Sequence, residues 1–391
     1  MANIERIAYP IVFSEVETFK ETYGGVAGQV VLEAHLVRPV DSLSDTVLVF
    51  MHPIGGGSYL PIVSALARAG HHVIYANSRY RGVDSALIME KVLVDLGAAI
   101  RHAKEKLGYS KVVLAGWSGG GSLSLYYQEQ AEHTSVTETP AGDPIDLAAA
   151  RLIPADGIIV VAAHTSRHRV LTDGLDPSII DEHDLSRRDA RFDLFDPSNP
   201  AQPPYSADYL AEFRAAQIER NRRITSWVQD TLAELRATGH PGEERGFVVH
   251  GTCADPRWLD ITIDPNERPA GHCWLGDPAV ANHGPTGLAR FCTLRSWLSQ
   301  WSWDLARGDG LRAAANISIP ALVVWHGADD VCVPVHSTGI YDAIRHDDKE
   351  LVGIPGATHY YIGPGQAEHL QTAVEQCGRW LAAHGFAEGS Q

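Results

Sequence analysis

Several features that would narrow the function of this chain are absent from its sequence. No apolar run reaches the length of about eighteen residues at which a helix can begin to span a bilayer, so no membrane partner is expected. Positive charge is also in short supply. Lysine and arginine number 32 against 48 aspartates and glutamates, a formal net charge of −16. A chain this acidic lacks the basic face that neutralising phosphates requires, so nucleic acid is not an expected partner. The local basic clusters at Arg187-Arg188 and Arg220 to Arg223 read as solvated helix faces. Cysteine is sparse: positions 253, 273, 292, 332 and 377 are odd in number and form no C-x-x-C pair. The first ten residues, MANIERIAYP, carry Glu5 and Arg6 and do not read as a signal peptide. Reduced thiols in a cytoplasmic protein are therefore expected. His250-x-x-Cys253 is the only pair with a metal-site spacing, and no metal is expected.

What is present is a rhythm of short apolar runs and helical segments. Strand-like runs cover residues 28–37, 46–51, 72–76 and 111–116, with helical spacing over 60–69, 89–107 and 123–130. Thr46 to Met51 is continuously apolar, as expected for a parallel strand covered on both faces. The order β-β-α-β-α-β-α, with short connections, predicts a doubly wound, mostly parallel α/β sheet. A further apolar strand over 156–163 leads to His164, and there the rhythm stops. It resumes near Ile319, with strands over 321–325 and 349–354 and helices over 337–344 and 367–383. At 391 residues the chain is long for one domain. Residues 1–164 and 311–391 are read as the core and 165–310 as an inserted, largely helical cap.

The stretch VVLAGWSGGGSLS, residues 112–124, is a buried strand, a tight glycine turn and a helix. The turn pushes Ser118 to the tip, in the pattern G-x-S-x-G. A serine hydroxyl needs a neighbouring base, itself oriented by an acid. HGADDVCVP supplies aspartates after one later strand, and GATHYY supplies His359 after the last. In this order and context the chain resembles the α/β-hydrolase superfamily. The resemblance implies a triad of Ser118, Asp330 and His359. Asp330 is preferred because Gly327, Asp330, Val333 and Pro334 match the family spacing G-x-x-D-x-x-V/I-P, with Asp329 in reserve. It also implies an oxyanion hole made by the N–H of Gly119 and one from the loop His52-Pro53-Ile54-Gly55-Gly56-Gly57. Pro53 stands where relatives carry glycine and has no N–H, so Ile54 is the expected donor and Gly55 the reserve. The glycines of this loop lack the spacing of a dinucleotide fingerprint, and no cofactor is expected. His52, Tyr59, Trp117 and His164 are candidate substrate contacts, as is Arg79.

The leading expectation is a serine hydrolase that cleaves a carboxylic ester, lactone or related acyl bond through an acyl-enzyme. Its substrate would be a small molecule, hydrophobic or aromatic because the cap is rich in tryptophan. The same triad also serves C–C bond hydrolysis or acyl transfer, and a non-catalytic ligand-binding protein on this scaffold is the alternative of another class. A homodimer, the commonest assembly, is the expected oligomer.

Overall fold

The computed structural model describes residues 2–15, 26–285 and 287–387. Eight strands form one sheet: β1 (Ile4–Ser14), β2 (Gln29–Pro39), β3 (Thr46–Phe50), β4 (Val73–Ala76), β5 (Lys111–Trp117), β6 (Gly157–Val161), β9 (Ala321–His326) and β10 (Lys349–Ile354). Two short strands, β7 (Gly246–Val248) and β8 (Phe291–Thr293), pair as a separate antiparallel ribbon. The large sheet runs β1-β2-β4-β3-β5-β6-β9-β10. β1 and β2 are antiparallel to their neighbours, and every other pairing is parallel.

Burial explains that division. β3, β4 and β6 are buried along their whole length, as crossover helices on both faces require. β1 lies at the edge, half exposed, and accommodates Pro10 there. The sequence pattern marks no strand in this segment. Its exposed positions lack the apolar run that marks a central strand.

The helices are α1 (Pro61–Arg68), α2 (Met89–Glu105), α3 (Gly119–Glu132), α4 (Leu147–Ala150), α5 (Arg167–Asp173), α6 (Ala207–Ala237), α7 (Pro278–His283), α8 (Leu294–Gln300), α9 (Gly310–Ala314), α10 (Pro334–Ala343) and α11 (Gln366–Ala383). Two apolar layers sandwich the sheet. On one side α2, α3, α9 and α10 contribute Val92, Leu96, Leu123, Tyr126, Ala313 and Ile340. On the other, α1 and α11 contribute Val63, Leu66, Val374 and Trp380. The segment between β6 and β9 buries a cluster of its own, in which Ile224, Val228 and Leu232 of the 31-residue α6 meet Trp297 and Trp301. Those two indoles stack with ring centroids 5.1 Å apart. Among the described residues no helix is long and apolar enough to cross a membrane.

Candidate active site

β5, one of the central parallel strands, ends at Trp117, and α3 begins at Gly119. Ser118 is the single residue between them, at φ 55° and ψ −126°. Positive φ is costly for a residue with a Cβ, and packing of the glycines on either side holds the turn in this shape. A Cβ on Gly120 would lie 2.5 Å from the Met51 carbonyl oxygen, and one on Gly121 would lie 2.3 Å from Ala163 Cβ. On Gly116 it would lie 2.4 Å from the Gly120 oxygen. The three glycines let β5, α3 and the ends of β3 and β6 close up around the serine. Gly119 occupies the first position of α3, where an N–H has no intrahelical acceptor and the helix dipole favours negative charge.

The acid and the imidazole meet at the far ends of β9 and β10. His359 Nδ1 lies 2.8 Å from Asp329 Oδ2, and both side chains are buried. The structure places Asp329, the reserve, against the imidazole in place of the expected Asp330. Asp329 Oδ1 accepts the backbone N–H groups of Val331 and Cys332, at 2.8 and 2.7 Å. That turn fixes the carboxylate inward and leaves Oδ2 for the imidazole. Asp330 turns the other way, into the pocket, with Oδ2 3.1 Å from His272 Nδ1. Burial and the adjacent Asp329 push the Asp330 carboxyl above its usual range. Two residues of identical chemistry are thus separated by the local turn, which a spacing pattern does not encode.

The segment between β6 and β9 holds this aspartate turn from outside. Trp258 Nε1 donates to the Asp330 carbonyl (2.8 Å), Asn266 Nδ2 to the Asp329 carbonyl (2.7 Å) and the Glu267 N–H to the Gly327 carbonyl (2.9 Å). Behind the imidazole, Trp117 Nε1 donates to the His359 carbonyl at 3.1 Å, and its indole packs on the His359 ring with centroids 4.6 Å apart. Trp117 therefore braces His359 and belongs to the core; it is not among the residues that line the pocket.

Ser118 Oγ lies 3.9 Å from Cys332 Sγ. The donor atoms of Cys332, Asp329 and His359 in turn lie within 4.8 Å of one another. Among the described residues no hydrogen bond joins Ser118 Oγ to His359. Asp329, Cys332 and His359 are also the one group among the described residues whose donors gather closely enough to hold a metal ion. Burial, and then the Asp329 charge, push the Cys332 thiol well above its usual range, so it stays protonated and is a poor ligand. Nothing in the spacing of Cys332 marks it in the sequence.

The pocket that holds Ser118 is lined by His52, His164 and Arg167. Trp258, Trp274 and Leu275 line it as well. Two tryptophans of the segment between β6 and β9 thus line the pocket, while Trp297 and Trp301 are core. Arg167, at the start of α5, is buried; its Nη2 donates to Asp84 Oδ2 (2.7 Å) and its Nε to Gln300 Oε1 (2.9 Å). Burial, followed by the Arg167 charge, holds His52 well below its usual range and lowers His164 to about 3, so both imidazoles are neutral. Two other candidates fall away. Tyr59 is 67% exposed and outside the pocket lining. Arg79 is buried in an ion pair with Asp95 (2.7 Å) and Glu15 (2.5 Å).

The expected donors in the loop after β3 are already engaged. The Ile54 N–H donates to His52 Nδ1 at 3.3 Å, and the Gly55 N–H to the His52 carbonyl at 2.8 Å. Ile54 and Gly55 are therefore spent on holding the loop.

A family model described as alpha/beta hydrolase fold matches residues 46–137. No curated protein sequence matches the chain significantly. Among solved structures, a siderophore hydrolase, EstB from Aspergillus fumigatus, is 14% identical with a TM-score of 0.50, over 95% of this chain and 98% of that one. Est1E from Butyrivibrio proteoclasticus is 15% identical with a TM-score of 0.46, over 92% and 96% of the two chains. A monoacylglycerol lipase from Paleococcus ferrophilus is 16% identical with a TM-score of 0.41, over 87% and 94%. At such identities the likeness is one of fold. The family match over the β3–α3 region, together with an eight-stranded, mostly parallel sheet carrying a serine turn at the end of β5, gives this chain an α/β-hydrolase fold.

Proposed function

We propose that the protein is a serine hydrolase that cleaves a carboxylic ester, lactone or related acyl bond of a small, mainly apolar substrate through an acyl-enzyme. The observation that carries this reading is the buried His359–Asp329 pair, 2.8 Å apart, beside a serine held at a strained elbow. Ser118 attacks the carbonyl carbon while His359 takes its proton, and His359 then protonates the leaving alcohol. Asp329 fixes the imidazole orientation and stabilises the imidazolium. Water, activated by the same histidine, releases the acid. The segment from about 165 to 310 acts as a cap, with Trp258, Trp274 and Leu275 favouring an aromatic or aliphatic group.

A fluorophosphonate probe tests the nucleophile: it labels the wild-type protein promptly and leaves Ser118→Ala unlabelled. A panel of p-nitrophenyl esters tests the bond, with hydrolysis of one or more expected. A wild-type protein that neither takes the probe nor turns over an ester refutes the proposal.

A further inference from the structure

Acyl transfer generates an oxyanion, and two donors beside the elbow are expected to receive it. One is the Gly119 N–H at the head of α3. The loop after β3, which should provide the other, has lost its usual means of doing so. Pro53 carries no N–H, the Ile54 N–H is turned onto His52 Nδ1, and the Gly55 N–H closes the turn on the His52 carbonyl. Because Nδ1 accepts a hydrogen bond from an amide, the ring proton of a neutral His52 resides on Nε2.

That nitrogen faces the elbow. A Cβ built on Gly119 would lie 2.8 Å from His52 Nε2, and His52 lines the pocket together with Ser118. On the reading of Ser118 as nucleophile, we infer that the second donor of the oxyanion hole is the Nε2–H of His52, a side chain in place of a backbone amide. No other side-chain nitrogen stands as near to Gly119: His164 Nε2 is next, 3.2 Å from the same point. The backbone N–H groups of Ile54 and Gly55 serve as the fastening that aims the imidazole.

The arrangement has a simple physical logic. A ring fixed at Nδ1 by its own loop has one N–H left and little freedom to turn it away. Burial, reinforced by Arg167, keeps the ring neutral and so preserves the Nδ1 lone pair that anchors it. The ring is thus preorganised before substrate arrives, the condition under which such a donor lowers a barrier most. It also accounts for the small residue at 119, since any side chain there would displace the imidazole.

The test compares His52→Ala and His52→Gln with the wild-type protein, using the ester that turns over fastest and a trifluoromethyl ketone as oxyanion mimic. His52→Ala is expected to lower kcat by about 10²–10³ while KM changes less than about threefold. Affinity for the ketone should fall in parallel with kcat. His52→Gln, which restores an N–H at similar reach, should recover at least tenfold of the loss. A merely structural role for His52 would weaken substrate and ketone alike and would not be rescued by glutamine. The inference is overturned if His52→Ala keeps kcat within about threefold, or if ketone affinity does not follow kcat. Fluorophosphonate labelling separates the two failures: a wild-type protein that labels while His52→Ala keeps full kcat refutes only this donor. A wild-type protein that does not label removes the nucleophile and the donor with it.

Discussion

Asp329 and Asp330 are neighbours of the same type, yet the turn after β9 gives them different work. Asp329 caps the backbone with one oxygen and holds His359 with the other. Asp330 meets His272 at the pocket wall. If Asp329 orients the base, Asp329→Asn should cost about 10⁴ in kcat, since an amide at that site favours the wrong imidazole tautomer. Asp330→Asn should remain within about tenfold of the wild-type rate, because it removes a partly exposed contact with His272. Steady-state ester hydrolysis by the two variants decides between the aspartates. The reverse ranking would return the role to Asp330. His52 follows the same pattern of a residue legible in type and illegible in role. Its place after β3 is plain from sequence, but the direction of its ring depends on the hydrogen bond from Ile54.

At the scale of elements, the strand–elbow–helix unit is held by close backbone approaches that tolerate no side chain. Gly120→Ala would set a Cβ 2.5 Å from the Met51 carbonyl oxygen, a backbone atom that cannot rotate away. We expect a loss of about 1–3 kcal/mol, or more, in unfolding free energy from such overpacking, measured by urea denaturation. Activity should fall as well, because Met51 leads directly into His52. An alanine at Gly142, where a Cβ would meet nothing within 4 Å, bears only the strain of its positive φ and serves as the comparison. The segment between β6 and β9 also touches the site. Asn266 and Trp258 hold the carbonyls of the two acidic residues from outside. Asn266→Ala leaves the Asp329 carbonyl without that donor. It should destabilise the protein by about 1 kcal/mol and reduce kcat more than KM, as read from denaturation midpoints and ester kinetics.

At the scale of the whole molecule, buried histidines tie stability to pH. Burial lowers His326 to about 4, where its ring nitrogens are occupied by Tyr361 Oη and the Thr358 carbonyl, and lowers His164 to about 3. These groups are neutral when folded and protonate near pH 6.5 when unfolded. As pH falls below about 6.5 the unfolded chain binds more protons, so stability drops, and it keeps dropping until the folded pKa values are reached. Each such histidine contributes a slope of up to about 1.4 kcal/mol per pH unit in that window. Urea midpoints should therefore be level above pH 7 and decline steeply between pH 6 and 4. His326→Gln should decline less steeply; an equal slope would exclude this residue as a source.

The sequence by itself determined the fold and the strand ends at which Ser118, the aspartate pair and His359 stand. Period and length of apolar runs reflect burial on both faces, so the central parallel strands, the helices between them and the elbow at Ser118 were all readable along the chain. The edge strand β1 was not, because one exposed face leaves only a weak pattern. The tertiary structure alone decided which aspartate meets His359, that Trp117 braces the imidazole while Trp258 and Trp274 face the pocket, and that the Ile54 amide turns onto His52. These are matters of direction across turns and of contact between residues a hundred or more positions apart. Hydrophobic periodicity records which side of an element is buried, and carries no information on where a polar group at its end will point.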